Sequence, residues 1–212
     1  MTRALTTAAR RAPLLAALLA IAACSVLPSV LPKAESPDVY RLPAAPLPQA
    51  QAGAVNWSLR VDTPQAERML DSARIAVLPA GDTVSVYKGA RWSDRVPVLL
   101  RNRLLEGFRN DGRITALSSD DTSLQADYVL DADLTAFQSE YRGKDPVVVV
   151  RYDARLVRNS GLKIVAARRF EVTQAVNGTA VPQVVAAFGQ AGDALAAQVV
   201  GWTLQQRADA HD

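Results

Sequence analysis

The stretch Asp127–Val176, DYVLDADLTAFQSEYRGKDPVVVVRYDARLVRNSGLKIVAARRFEVTQAV, decides the fold. It divides into three long segments rich in β-branched and aromatic residues, Asp127–Ser139, Val147–Arg158 and Leu162–Val176. Such residues suit a pleated, half-buried surface, and the joints near Arg142–Asp145 and at Asn159-Ser160-Gly161 have turn composition. The reading is an antiparallel three-strand meander. Pairing Leu130 with Leu156 sets Ala132 opposite Ala154, Leu134 opposite Tyr152 and Ala136 opposite Val150. A three-residue second loop ending on Gly161, which supplies the positive φ needed there, pairs Leu156 with Ile164, Ala154 with Ala166, Val150 with Phe170 and Val148 with Val172. Both hairpins then keep even-numbered residues on one face, and a slip of one residue would turn them all over.

That register gathers Asp131, Asp133 and Asp153 on the odd-numbered face with Arg151, Arg155 and Arg169. Clustered carboxylates can hold a metal or act as an acid and base. Opposed to arginines across strands, however, they are ordinary charge pairs, each contributing a fraction of a kcal/mol. Val129, Phe137, Val147, Val149 and Val157 fall on the same odd face. A sheet apolar on both faces is covered by further structure or awaits a partner, which makes Phe137 and Val149 candidates for partner contact. Arg168 falls on the inward face in this register.

Outward from the meander, the spacing predicts a helix from about Asp94 to Asn110, with Ser93 or Asp94 as N-cap and Gly112 past its end. Val96, Leu99, Leu100, Leu104 and Phe108 form its apolar stripe, leaving Arg101, Arg103, Glu106 and Arg109 to face water. A longer helix is predicted over Pro182–Gln206, carrying Val185, Phe188, Leu195, Val199 and Trp202. Its Gly189, Gly192 and Gly201 cost helix propensity of about 1 kcal/mol each, which close packing on the sheet would explain. Upstream, alternation predicts a strand over Val55–Val61, with further short strands at Arg74–Leu78 and Thr83–Tyr87. Two helical turns are expected within Thr63–Asp71. The fold class is therefore α/β of the α+β type: a mainly antiparallel sheet with a C-terminal three-strand meander, packed on one face by two main helices.

The N-terminus carries a different message. Arg3, Arg10 and Arg11 precede an apolar run, and Ile21-Ala22-Ala23-Cys24 has the small residues before a thiol that mark a lipoprotein signal. The run is too short to span a bilayer, which needs about 20 apolar residues. Residues 1–23 are read as signal peptide, Cys24 as the lipidated first residue, and 24–53, crowded with proline, as a tether. Tyr40-Arg41-Leu42 is a place where that tether can pair with the domain, which runs from 54 to 207 before a polar tail, 208–212.

Removing the signal changes the electrostatics. The net charge of +3 equals the three signal arginines, with no acid before Cys24, so the mature chain is near neutral. That excludes the basic footprint of a nucleic-acid binder. With its only cysteine acylated, the chain has no disulfide and no cysteine metal site. The one histidine, His211, lies in the polar tail, and no nucleophile elbow, phosphate-binding glycine loop or histidine metal spacing occurs. No catalytic residue, cofactor site or metal site is assigned. Asn177-Gly178-Thr179 matches a glycosylation sequon but reads here as a turn before the last helix.

The order of lipobox, Tyr40-Arg41-Leu42, Arg91-Trp92-Ser93-Asp94 opening a Leu-rich helix, Tyr128-x-Leu130 running to Phe137, two further strands and an Ala/Leu-rich final helix resembles the ABC-type transport auxiliary lipoprotein family. Within it, Ile75–Leu100, with Leu78-Pro79 and Tyr87 ahead of Trp92, looks most like the branch accompanying transporters with mammalian-cell-entry (MCE) subunits. It lacks the Leu-Pro-x-Tyr-Leu segment of the paraquat-inducible branch. The resemblance implies a non-enzymatic, lipid-anchored periplasmic component of an envelope lipid transporter, docking with an MCE protein at the outer membrane and capable of self-association. It marks Trp92 for partner contact or for packing at the helix start. Ser25 after Cys24, in place of an aspartate, favours the outer membrane. Two other classes stay open: an outer-membrane assembly or structural lipoprotein, and a periplasmic hydrolase built on the aspartates.

Overall fold

The computed structural model describes residues 36–45 and 53–208, which belong to one compact unit, Ser36–Asp212. The signal peptide, Cys24 and His211 lie outside the described residues.

The meander is the spine of the molecule. Strand β7 (Tyr128–Arg142) pairs antiparallel with β8 (Asp145–Arg158), and β8 with β9 (Lys163–Ala175). Along its other edge β7 takes three short parallel partners in turn: β2 (Leu59–Val61), β3 (Gln65–Ala66) and β4 (Arg74–Ala80). Strand β5 (Thr83–Trp92) is antiparallel to β4, β1 (Asp38–Tyr40) is parallel to β5, and β6 (Leu117–Ser119) is parallel to β2. The result is a nine-stranded mixed sheet, α+β in class. Helices α1 (Val96–Asp111) and α2 (Val181–Ala208) pack on it, α2 against β8, β9 and α1. One 18-residue window of α2 has the length and hydropathy of a membrane span, yet 61% of it is buried inside the protein, as befits a core helix.

The predicted first hairpin holds from Leu130 opposite Leu156 through Leu134 opposite Tyr152. There the register shifts: Ala136 pairs with Arg151 and Phe137 with Val150. An extra residue in one strand re-aims everything beyond it. Exposed Thr135 is that residue, and Phe137 moves from the odd face to the helix-covered face, where it is buried.

The second hairpin keeps its predicted faces but pairs two residues away from the predicted partners. Leu156 meets Ala166, Ala154 meets Arg168, Tyr152 meets Phe170 and Val150 meets Val172. The loop has four residues, Asn159–Leu162, with both Gly161 (φ 81°) and Leu162 (φ 50°) left-handed, and a bulge follows between Leu156 and Val157. Each device adds one residue to the β9 side, so parity survives while the register moves. Arg168 falls on the inward face as read, at an exposed margin where its guanidinium lies 4.9 Å above the Phe170 ring.

Upstream, Val55–Val61 forms a strand only over Leu59–Val61, with Trp57 packing edge-on against Tyr128 at 5.5 Å. Thr63–Asp71 is not helical. Its Gln65 and Ala66 instead pair with Asp133 and Leu134 on the edge of β7 between β2 and β4, and turns follow at Glu67–Asp71. Backbone hydrogen bonds to an open strand edge outweigh a short helix, which is marginal in isolation. Strand β5 runs on to Trp92, so α1 starts later than read: Arg95 is its N-cap residue and no side chain caps it. Its first amide, Val96 N, donates to Ser72 O at 3.1 Å. Gly112, left-handed at φ 78°, ends the helix as expected.

Candidate functional site

The partner-contact residues suggested by the sequence are all interior. Trp92 is 0% exposed, Phe137 1% and Val149 1%. Trp92 sits where three elements converge: its amide donates to Ala73 O at 2.7 Å, and the next amide, Ser93 N, donates to Tyr40 O at 2.7 Å. Its ring meets Phe188 of α2 edge-on at 5.3 Å and Phe137 at 6.1 Å, while Phe137 and Phe188 stack at 4.7 Å. Aromatic pairs in these geometries add about 0.5–1.5 kcal/mol beyond area burial. The Thr135 bulge is therefore what completes the cluster. Val149 stays on the odd face, between Gln138 and Thr173 in the sheet, and is buried there. None of the three presents a surface to a partner; they hold the domain together.

On the odd face the carboxylates are spoken for. Arg155 donates from Nε to Asp131 at 2.8 Å and from Nη1 to Asp133 at 2.5 Å. Arg169 donates twice to Asp153, at 2.5 and 2.8 Å, and Arg151 donates to Glu171 at 2.9 Å. Hydrogen bonds from Arg169 hold the Asp153 carboxyl below the ordinary carboxylate range, and Arg151 does the same to Glu171. A general acid at neutral pH needs the opposite shift. Among the described residues no group of three metal-ligating side chains occurs. The face is a charge ladder across strands, and its chemistry is structural.

Sequence reasoning missed a second arginine system. Arg101 and Arg103, read as facing water, are 4% and 3% exposed. Arg101 Nη1 donates to Asp120 and Asp121, both at 2.7 Å, and to Thr63 Oγ1 at 3.1 Å. Burial pushes the Asp120 carboxyl up, but hydrogen bonds from Arg101 and Thr63 outweigh it and leave it below its ordinary value. Arg103 ion-pairs with Glu106 and with Asp193 of α2, and donates to Ala45 O at 3.2 Å. Ala45 N donates to Asp193 Oδ2 at 2.9 Å.

Ala45 lies in the span read as tether, and residues 36–45 of that span pack on the domain. Pro43 crosses α2 at Gly189, where a Cβ would stand 2.8 Å from Pro43 O and 2.9 Å from Pro43 Cβ; at Gly192 it would meet Leu42 Cδ2 at 3.5 Å. Two of the three helix glycines thus face this segment rather than the sheet, and nothing lies within 4 Å of a Cβ at Gly201. The only legible signals were the glycines themselves and Tyr40-Arg41-Leu42.

Comparison with known proteins agrees with this architecture. A 177-residue compact unit that begins before β1 and closes with α2 is matched by a family pattern spanning residues 40–200, from the end of β1 to well inside α2. The crystal structure of XCC0632 from Xanthomonas campestris superposes with a TM-score of 0.77 at 31% identity, covering 82% of this chain and 99% of that one. A second crystal structure, of an uncharacterized protein, shares the fold with a TM-score of 0.62 at 16% identity, over 80% of this chain and 99% of that one. An uncharacterized protein of Bradyrhizobium diazoefficiens is 32% identical over 154 residues, which is 72% of this chain but 41% of that protein, so the chain spans about two fifths of that relative's length. The family so matched is a transport component rather than an enzyme family, and its name implies a lipid-anchored envelope protein. The chain belongs to the ABC-type transport auxiliary lipoprotein component family.

Proposed function

We propose that this protein is the periplasmic, lipid-anchored accessory of an ABC transporter that moves lipid through the envelope, docking with an MCE-domain subunit at the outer membrane. The family match over residues 40–200 carries the reading. The Ile75–Leu100 segment supports the MCE branch, and Ser25 after Cys24 supports the outer membrane. Cys24 is the acylated residue in this proposal, with residues 1–23 removed. Because Trp92, Phe137 and Val149 are buried, docking falls to exposed positions that the buried cluster holds in place.

Chemical crosslinking in intact envelopes, read by mass spectrometry, tests the reading. The expected catch is an MCE protein encoded beside an ATPase and a permease. Recovery of other envelope partners with no MCE protein would overturn it and favour a structural lipoprotein. Mass spectrometry of the mature N-terminus checks the anchor separately: a diacylglyceryl-modified Cys24 is expected, and Cys24→Ala should release no acylated form.

A further inference from the structure

We propose that the outer row Val39–Arg91–Arg74, across strands β1, β5 and β4, rests on the anionic headgroups of the bilayer that holds the chain's own anchor. The register builds the row: Val39 is the partner of Arg91 on β1, and Arg91 the partner of Arg74 on β4. Its neighbour row, Tyr40–Trp92, runs into the core, so side-chain alternation turns Val39, Arg91 and Arg74 away from the helices.

Three observations point to a lipid surface. Arginines directly opposite across strands repel each other, and among the described residues neither has an acidic partner. Most other arginines with described side chains are ion-paired, Arg101, Arg103 and Arg155 among them; the other facing pair of cations, Arg158 opposite Lys163, lies at the β8–β9 turn and not on the strands beside the tether. Arg41 and Lys88 add exposed, unpaired cations on the same edge, while exposed Asp38 lies one row away opposite Ala90 and bonds none of them. Secondly, Val39 is 52% exposed in the middle of this charge, the mixture of cation and apolar side chain that an interface accepts. Thirdly, only the stretch Ser25–Pro37 separates Cys24 from β1, so Asp38 can lie no more than roughly 50 Å from the lipidated residue even on a fully extended chain. An anionic surface within reach relieves the Arg74–Arg91 repulsion, and each cation near such a surface strengthens contact about fivefold.

This rests on acylation of Cys24. The full chain, purified from envelopes as the acylated protein, is reconstituted in vesicles of phosphatidylethanolamine and phosphatidylglycerol, or of phosphatidylcholine alone. With Cys24 acylated, Val39→Cys supplies a single thiol for an environment-sensitive fluorophore. A blue-shifted emission quenched by lipid-borne quenchers is expected in the anionic vesicles only. It should fall on the order of tenfold or more in R74E/R91E, and R74Q/R91Q should fall in the same direction with less risk to folding. A second label at Ser160→Cys, in the β8–β9 turn beside the facing cations Arg158 and Lys163, should stay aqueous throughout, and insertion there in place of Val39 overturns the proposal. A Val39 label that stays aqueous in anionic vesicles, or that is unmoved by both charge variants, overturns the proposal. A chain that reacts at Cys24 or fails to stay with vesicles overturns the anchor instead, so the two failures are distinct.

Discussion

Trp92 shows how a marker residue works through packing. Its indole Nε1 is buried without a hydrogen-bond partner while its ring supports Phe188 and Phe137. Truncation removes the ring and leaves a cavity, so Trp92→Ala should cost about 3–5 kcal/mol. Trp92→Phe keeps part of the ring and removes the orphaned donor, and should cost less than half as much. Urea unfolding of both variants measures the difference, and equal losses would show that the indole nitrogen has a partner of its own. Tyr152 presents the same physics with the opposite sign. Its hydroxyl is buried and unbonded beside Leu134 and Phe170, and burial raises its pKa. Because the folded value lies above the unfolded one near 10, the stability it contributes is complete below pH 10 and is lost as pH rises further. Tyr152→Phe should therefore be neutral or stabilising at pH 7 and should blunt alkaline unfolding, as a pH series of urea midpoints would show.

At the scale of elements, irregularities decide the outcome. Helix α2 carries glycines of opposite purpose. Gly201→Ala meets open space and should stabilise by up to about 1 kcal/mol, the ordinary gain in helix propensity. Gly189→Ala would press its Cβ on Pro43 backbone, which cannot turn aside as a side chain can, and should destabilise despite the same gain. Hydrogen exchange should then speed up across residues 38–45 first, since Ala45 and Pro43 hold that segment to α2. Equal stabilisation by both substitutions would mean that the segment is not seated there. Thr135 makes the parallel point in the sheet. Deleting it should leave Leu134, Ala136 and Phe137 opposite Tyr152, Arg151 and Val150 in simple alternation, which keeps Phe137 on the helix-covered face and its stack on Phe188. Retention of the cooperative unfolding transition is the expected result, and its loss would show that the extra residue is itself needed to seat Phe137 in the stack.

Across the whole molecule, arginines fasten pieces that are distant in sequence. Arg101 ties α1 to Asp120 and Thr63, and Arg103 ties it to α2 and to Ala45. Asp111, held low by hydrogen bonds from Arg113, and Asp120 and Asp153 titrate below their ordinary range in the folded chain. Their folded values lie below the unfolded values near 4, so their contribution is intact above that pH and disappears as pH falls through the folded values. Urea midpoints should be flat from pH 7 to about 5 and fall below about 4. Asp120→Asn should lower stability at pH 7 by about 1–2 kcal/mol, screened because that carboxylate is 35% exposed, and should flatten part of the acid slope. An unchanged slope would show that Asp120 contributes no linkage.

The legible part of this protein is what local chemistry dictates. Period-two alternation over Asp127–Val176 named three strands and their shared faces, except for β7 beyond the bulge at Thr135, and the helical stripe with Gly112 named α1 and its end. The proposal that Cys24 is acylated rests on the lipobox pattern in the same local way. Tertiary structure alone decided the rest, for a common reason: the determining contacts join residues far apart along the chain. A bulge at Thr135 pays off only because Trp92 and Phe188 lie opposite it, and Arg103 is buried only because Ala45 and Asp193 come to it. The sequence could count the cations, but only the β1–β5–β4 register shows that Arg91 and Arg74 face each other without an acid between them.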